Sequence, residues 1–348
     1  MTRHRRRRAP GWIAAPAAVV LGAEAMVTAG AVAGARQRRS RHGGDPCGPA
    51  GFALPDSEVG VVRTEDGADL AVLVAGPADG PTVVLAHCWT GTKETWAAVA
   101  RRLVRLGHRV VLYDQRGHGR SGFGAGLSTI ETLGDDLSVV LAHVDARHAV
   151  VVGHSMGGMA VQAYVARLRH HADRVAAVVL VATASRILGR ALPGVLAERV
   201  VGDTSPSWTR RGRRGAFLAR QALGRSAVPS HVAFVRDTLD ATAGPVRVSC
   251  LQAMARMDLR PGLAGTAVPA TILVGTRDLL TPPRLARALW RAWPGSALRT
   301  VPGAGHMLPL EAPDEVVDAI ARATAAPAAT APAPTATAAT HDTQPRVT

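Results

Sequence analysis

Short apolar runs alternate with helical patterns along most of the chain, and this alternation constrains the fold more than any other sequence feature. Buried strands are predicted at residues 82–86, 109–113, 149–152, 175–181, 270–275 and 297–301. Amphipathic helices are predicted at residues 92–106, 130–144, 156–168, 283–292 and 311–323. Continuous apolar strands that alternate with helices predict an α/β fold, a mostly parallel central sheet with helices on both faces.

Two departures from the alternation extend this prediction. Residues 59–63 and 70–74 flank Asp66-Gly67, a turn pair that predicts an antiparallel hairpin at one edge of the sheet. From about residue 186 to 263 no strand pattern occurs, and we expect a largely helical insertion there.

The two ends of the chain differ from the folded part. Residues 1–50 form a basic leader, in which an apolar segment at 11–35 lies between two arginine clusters. This segment is long enough to span a bilayer as a helix, and residues 33–35 resemble a cleavage site. An uncleaved anchor, a cleaved secretory signal and a basic, partly disordered leader all remain open. Residues 323–348 are rich in Ala, Pro and Thr, which predicts a disordered tail, so the folded domain is expected at 51–322.

Net charge first suggests a protein that binds nucleic acid, because the chain has 41 Lys and Arg against 26 Asp and Glu. The excess is confined to residues 1–41 and 186–262, each with a net charge of +8, and the remainder has −1. No zinc-finger spacing, aromatic RNA-binding box or clear helix-turn-helix pattern occurs, so we do not expect a nucleic-acid partner. The three cysteines form no CxxC pair and indicate neither a metal site nor a disulfide framework.

A G-x-S-x-G motif centred on Ser155 lies between the apolar strand at 149–152 and the helix that follows it. In this position the serine occupies a tight, strained turn, and small neighbours prevent steric clashes. The N-terminal N–H groups of the following helix favour negative charge at the turn. Ser155 is therefore the candidate nucleophile.

A general base and an acid follow in the order that this motif requires, serine, then acid, then histidine. Asp278 comes directly after the strand at 270–275, and His306 lies in a loop of small residues after the last strand. The remaining downstream histidine, His341, lies in the predicted tail. We expect His306 to act as base and then acid, and Asp278 to orient its ring.

The oxyanion hole is expected to use two backbone N–H groups. One comes from the residue after the nucleophile, Met156, and the other from the loop that follows strand 82–86, where Trp89 is the candidate.

Together these residues resemble the α/β-hydrolase superfamily over about residues 59–323. Four blocks match in order: HCW at 87–89, DQRGHGRS at 114–121, GHSMGG at 153–158, and GTRD at 275–278 with GAGH at 303–306. The second block is a family hallmark that braces loops near the site, without a catalytic role. Cys88 replaces the usual glycine and could alter the oxyanion loop, although a small buried hydrophobic role is the simpler interpretation.

The resemblance implies a serine hydrolase that cleaves carboxylic esters of small or lipid-like acyl substrates through an acyl-enzyme, without a metal or organic cofactor. A serine nucleophile argues against epoxide hydrolases and haloalkane dehalogenases, and the pattern looks most like carboxylesterases and monoacylglycerol-lipase-type enzymes. Alternatives on the same three residues are haloperoxidase or perhydrolase, lactonase and thioesterase activity. A non-catalytic binding protein on the same fold is a further alternative.

The arginine-rich stretch falls where the family inserts a cap, at about 186–263. Its densest cluster, at 210–214, is either a solvated surface or a patch that steers the enzyme towards anionic lipid headgroups or an anionic substrate. With the leader, these features predict a protein that is membrane-associated through its N-terminal segment, or secreted after signal cleavage.

Overall fold

A computed structural model of the chain describes residues 49–127, 129–167, 173–187, 198, 201–202 and 212–325. The leader with its apolar segment, the Ala/Pro/Thr-rich tail and Arg210-Arg211 lie outside these ranges, so the expectations placed on them remain predictions. In the described ranges, no helix combines the length and the apolarity needed to cross a bilayer.

Eight strands form one sheet in the order β1-β2-β4-β3-β5-β6-β7-β8. They are β1 (Ser57–Arg63), β2 (Asp69–Ala75), β3 (Thr82–Ala86), β4 (Arg109–Tyr113), β5 (Ala149–His154), β6 (Val175–Val181), β7 (Ala270–Gly275) and β8 (Ala297–Val301). Strand β2 is antiparallel to both β1 and β4, and all other pairs are parallel. The predicted edge hairpin and the parallel sheet are therefore confirmed.

Ten helices accompany the sheet in the described ranges. They are α1 (Ala97–Arg105), α2 (Ile130–His143), α3 (Met156–Arg167), α4 (Gly212–Gln221), α5 (Pro229–Ala241), α6 (Gly244–Arg256), α7 (Arg260–Leu263), α8 (Pro283–Ala292), α9 (Leu308–Glu311) and α10 (Pro313–Ala325). Short 3-10 turns at Pro49–Phe52 and Lys93–Trp96 complete the described elements.

The sheet is covered on both faces, and this explains the unbroken apolar runs in its strands. Successive side chains of a strand point to opposite faces. In β3, Val84 packs in a core with α2, α3 and α8, whereas Val83 and Leu85 pack in a second core with α1 and α10. A strand in this position has no polar face, so its residues are apolar throughout.

The described part of the insertion between β6 and β7 is largely helical, as predicted, and contains α4 to α7. We call this insertion the cap. Cys250 and Met254 of α6 pack against Met156 and Met159 of α3, at the end of the sheet where Ser155 lies. Leu223, just after α4, packs in a separate cluster that adjoins the loop at His306. The cap therefore contacts the carboxyl edge of the sheet, where parallel strands place their functional loops.

Candidate active site

Ser155 occupies a sharp turn between β5 and α3. Its φ of 53° lies in the left-handed region, which is uncommon for a residue other than glycine. The Ser155 N–H donates to the Val181 carbonyl (2.9 Å), and the Thr183 hydroxyl donates to the Ser155 carbonyl (2.7 Å). Strand β6 and the residues after it thus hold Ser155 in a conformation that strain would otherwise disfavour.

Glycines around the turn permit a very close approach of α3 to β3. A Cβ added to Gly157 would lie 2.3 Å from the Ala86 carbonyl oxygen and 2.5 Å from that of His87. Both oxygens are backbone atoms at the end of β3, and they cannot move aside as a flexible side chain could. The motif requires small residues here for packing, besides the freedom they give to the turn.

Asp278 and His306 form a hydrogen-bonded pair just beyond β7 and β8. His306 Nδ1 lies 2.9 Å from Asp278 Oδ2, and both side chains are almost completely buried. Asp278 also accepts the Leu280 N–H (2.9 Å), the Thr281 N–H (2.8 Å) and the Thr281 hydroxyl (2.7 Å). An ionised carboxylate only accepts, so the ring donates from Nδ1 and its Nε2 is left as the acceptor.

The environment of Asp278 also sets its acid titration. Burial alone would raise its pKa, but the charge of His306 and the hydrogen bonds from His306 and Thr281 outweigh burial and lower the pKa to about 2. A carboxyl with a depressed folded-state pKa stabilises the protein fully above its ordinary pKa, and this contribution is lost as pH falls towards 2.

We therefore expect Asp278 to contribute about 2 kcal/mol to the free energy of unfolding above about pH 4. Urea unfolding of the wild type and of Asp278→Asn, at about pH 6 and about pH 2, measures this contribution. The stability gap between the two proteins should shrink by that amount at the lower pH. An equal gap at both pH values would contradict the expectation.

The structure brings His306 next to the strand that carries Ser155. The Nε2 atom of His154, the neighbour of Ser155, lies 2.9 Å from the His306 carbonyl oxygen, and the two imidazole rings are 5.1 Å apart. The Ser155 hydroxyl forms no hydrogen bond with a residue that the structure describes. Catalytic hydrogen bonds often form only when substrate binds, so Ser155 remains a candidate nucleophile beside Asp278 and His306.

The two candidate oxyanion donors also have no described partner for their backbone N–H groups. Met156 is the first residue of α3, where N–H groups have no intrahelical acceptor. Trp89 lies in the loop after β3 and donates to none of the described carbonyls. Both groups are thus available to an oxygen that develops negative charge.

Cys88 does not occupy the strained position in the oxyanion loop. The residue with positive φ there is Thr90 (φ 55°). Cys88 is buried in a cluster with Leu223, Met307 and Leu310, and burial raises the pKa of its thiol to about 12. The thiol is therefore neutral at physiological pH, and the interpretation as a small buried hydrophobic residue agrees with these contacts.

Residues of the 114–121 block form hydrogen bonds with the loop at residues 87–92, which contains the candidate donor Trp89 and which we call the oxyanion loop. The Thr90 N–H donates to His118 Nε2 (3.1 Å), and the Gln115 N–H donates to His87 Nε2 (2.9 Å). Both histidine side chains are almost completely buried. These contacts support the bracing role that the resemblance implied.

Sequence reasoning missed Lys93, which completes this support. Its ammonium lies 2.7 Å from the Asp114 carboxylate, and its backbone N–H donates to the same side chain (2.9 Å). Both side chains are buried, so removing one partner would leave an uncompensated charge. The sequence feature that could have drawn attention to this residue is that Lys93 is the single lysine of the chain.

Comparisons with known proteins agree with this geometry. A family model described as the alpha/beta hydrolase fold matches residues 81–313. The chain is 31% identical over 254 residues to a pimeloyl-[acyl-carrier protein] methyl ester esterase of Xanthomonas campestris, covering 71% of this chain and 96% of the relative. It is 30% identical over 244 residues to a non-heme chloroperoxidase of Streptomyces lividans, covering 64% and 84%.

A solved structure gives the same result. A hydrolase from Pseudomonas aeruginosa PA01 superposes with a TM-score of 0.65 and 26% identity, over 77% of this chain and 99% of that chain. Relatives from Acinetobacter calcoaceticus, Burkholderia pyrrocinia and Rhodococcus erythropolis are matched over less than half of their length.

Proposed function

The chain belongs to the α/β-hydrolase family, and we propose that it is a serine hydrolase that cleaves carboxylic esters through an acyl-enzyme. The observation that carries the proposal is the buried Asp278–His306 hydrogen bond (2.9 Å), next to the strand that ends at His154, the neighbour of Ser155. The methyl ester esterase similarity supports ester chemistry.

The proposed reaction begins when Ser155 Oγ attacks the ester carbonyl carbon and its proton moves to His306 Nε2. Asp278 holds the ring by its Nδ1–H and stabilises the imidazolium. The carbonyl oxygen takes up negative charge and accepts hydrogen bonds from the N–H groups of Trp89 and Met156. His306 then protonates the departing alcohol as the C–O bond breaks, which leaves the acyl group on Ser155.

Water completes the cycle. His306 removes a proton from the water as its oxygen attacks the acyl carbon, and the proton then returns to Ser155 Oγ as the acid leaves. No step requires a redox partner.

The described residues also enclose a cavity of about 510 Å³, whose lining does not include Ser155, Asp278 or His306. It lies between α5 and the loop after β4, and its lining includes Thr92, Gly117, Phe52 and Phe234. The two phenyl rings stack with centroids 4.4 Å apart. Its size falls in the range of ligand pockets, and its lining combines these aromatic rings with polar residues of α5.

Hydrolysis of p-nitrophenyl esters of graded acyl length tests the proposal. We expect turnover of at least one ester in the series, because the proposed mechanism requires only an ester carbonyl within reach of Ser155. A protein that folds but hydrolyses no ester in the series would contradict the proposal and favour a binding protein on this fold.

A second candidate function is perhydrolysis or halide oxidation on the same three residues, which the similarity to a non-heme chloroperoxidase favours. In this reaction hydrogen peroxide replaces water as the nucleophile that attacks the acyl-enzyme. Rates measured with and without hydrogen peroxide and an organic acid separate the two functions. Halide oxidation that depends on peroxide and exceeds ester hydrolysis would favour this candidate.

For location, we propose membrane association through residues 11–35 or export after cleavage. The support is the basic and apolar pattern of the leader alone. Anionic steering by the arginine cluster at 210–214 stays a hypothesis on the same basis.

A further inference from the structure

The loop that carries His306 is hydrogen-bonded to the cap. Residues 222–225, which follow α4, run beside this loop, and we call them the cap segment. The His306 N–H donates to the Ala222 carbonyl (2.9 Å), and the Arg225 N–H donates to the Gly303 carbonyl (3.0 Å). The cap segment thus contacts the loop at residues 302–307, which we call the histidine loop, at both Gly303 and His306.

Two glycines allow the cap segment and the histidine loop to meet backbone against backbone. A Cβ added to Gly224 would lie 2.4 Å from the Gly305 nitrogen, and one added to Gly305 would lie 2.3 Å from the Gly224 nitrogen. A side chain on either glycine would therefore collide with the backbone of the other.

The Glu311 carboxylate accepts from the N–H groups of both glycines. Its Oε2 takes the Gly224 N–H, and both of its oxygens lie 3.1–3.2 Å from the Gly305 nitrogen. Burial raises the pKa of Glu311, while the bonds from Gly224 and Gly305 act against this rise. One carboxylate at the end of α9 therefore joins the cap to the residue that precedes His306.

The main chain of His306 is fixed from two further directions. Its N–H is bonded to the cap at Ala222, and its carbonyl oxygen lies 2.9 Å from His154 Nε2, beside Ser155. A displacement of the cap segment therefore pulls directly on His306. The imidazole must keep its place against Asp278 and the reacting atoms, and a misplacement of about 1 Å can cost about 10²-fold in rate.

We propose that Glu311 is a positioning residue that bridges the cap segment and the histidine loop, so that His306 is aligned for catalysis only while the cap segment is docked. This inference rests on the proposed function, because it assigns Glu311 to the alignment of the proposed base. The bridge itself is a structural claim that can be measured without substrate.

Glu311→Gln tests the bridge with almost no change of volume. Both Glu311 oxygens lie close to the Gly305 nitrogen, so either orientation of a glutamine amide places its NH₂ against the Gly305 N–H. The negative charge that strengthens both bonds is lost as well. Glu315→Gln is the matched control, because Glu315 is exposed on the following helix. We expect kcat for an ester to fall by about 10-fold to 10²-fold in Glu311→Gln with KM nearly unchanged, and the control to match the wild type.

Amide hydrogen exchange gives the readout that is independent of activity. In Glu311→Gln we expect exchange at Gly224 and Gly305 to accelerate together by about 10-fold or more, while the β5 amides keep their wild-type rates. Unchanged exchange at both glycines, a kcat equal to that of the control, or equal acceleration throughout β5 would each overturn the proposal. If the wild type hydrolyses no ester, the proposed function fails, whereas the exchange result still decides the bridge.

Gly224→Ala is the second variant, which approaches the bridge from the cap side. Its added Cβ would collide with the Gly305 nitrogen, so the cap segment must move away from the histidine loop. We expect the same fall in kcat and faster exchange at Gly305. If Glu311→Gln does not fold, wild-type kcat in Gly224→Ala overturns the proposal, and the expected loss supports it.

Discussion

Replacing Ser155 with alanine is expected to lower kcat/KM for ester hydrolysis by about 10⁴-fold to 10⁶-fold. In the proposed mechanism the hydroxyl forms the bond to the acyl group, and the alanine methyl group cannot replace it. The residual rate would come from the N–H groups of Trp89 and Met156, which the substitution leaves in place. Steady-state hydrolysis of a p-nitrophenyl ester measures the loss, and Ser57→Ala, on the exposed edge strand, is the control.

Ser155→Gly separates catalysis from stability at the same position. Serine holds a left-handed φ of 53° that glycine adopts without strain. Relief of about 1–3 kcal/mol of strain opposes the entropic cost of glycine, about 0.5–1 kcal/mol. We expect Ser155→Gly to be as inactive as Ser155→Ala and at least as stable. An active Ser155→Gly would contradict the role of Ser155, and one less stable than Ser155→Ala would contradict the strain.

Asp278→Asn is expected to lower kcat by about 10⁴-fold, although the geometry around it is largely kept. An asparagine oxygen can still accept the N–H groups of Leu280 and Thr281, and its NH₂ then faces His306 Nδ1. A ring that accepts at Nδ1 carries its proton on Nε2, where it cannot receive the proton of Ser155. The variant should therefore fold and bind substrate with a nearly unchanged KM.

Measurement of kcat and KM for Asp278→Asn checks this prediction beside circular dichroism for the fold. Asp135→Asn serves as a control, since Asp135 is an exposed carboxylate of α2 in a surface ion pair with Arg167. A loss below about 10-fold in a folded Asp278→Asn would show that Asp278 does not set the histidine tautomer.

Much of the fold could be predicted because its central strands are buried on both faces. In Thr82–Ala86, four buried apolar residues follow Thr82 without interruption, and the predicted bounds are those of β3. Boundaries set by single contacts were less predictable. Strand β5 continues to His154, because Gly153 and His154 still pair with β6. The helix predicted at 311–323 corresponds to α10, which begins at Pro313. The short α9 before it ends at Glu311, since Pro313 has no N–H to continue the helical hydrogen bonds of α9.

The contact between Asp278 and His306 was predictable because each residue follows a recognisable strand, whereas the role of Ser155 beside them stays a prediction. The contacts of Lys93 and Glu311 were not predictable, because their partners lie far away in the chain. Lys93 reaches Asp114 across 21 residues, and Glu311 reaches Gly224 across 87. No local pattern encodes such contacts. These two contacts are found only in the folded chain, which brings Lys93 to Asp114 and the cap segment to the histidine loop.

The role of Ser155 is tested most directly by the site at which a fluorophosphonate binds covalently. The reagent phosphonylates an activated serine and expels fluoride, so the mass of the modified peptide identifies the nucleophile. We predict one adduct per chain, on Ser155, with ester hydrolysis lost in proportion to labelling and no adduct on Ser155→Ala. An adduct on another residue, or equal labelling of Ser155→Ala, would contradict the account.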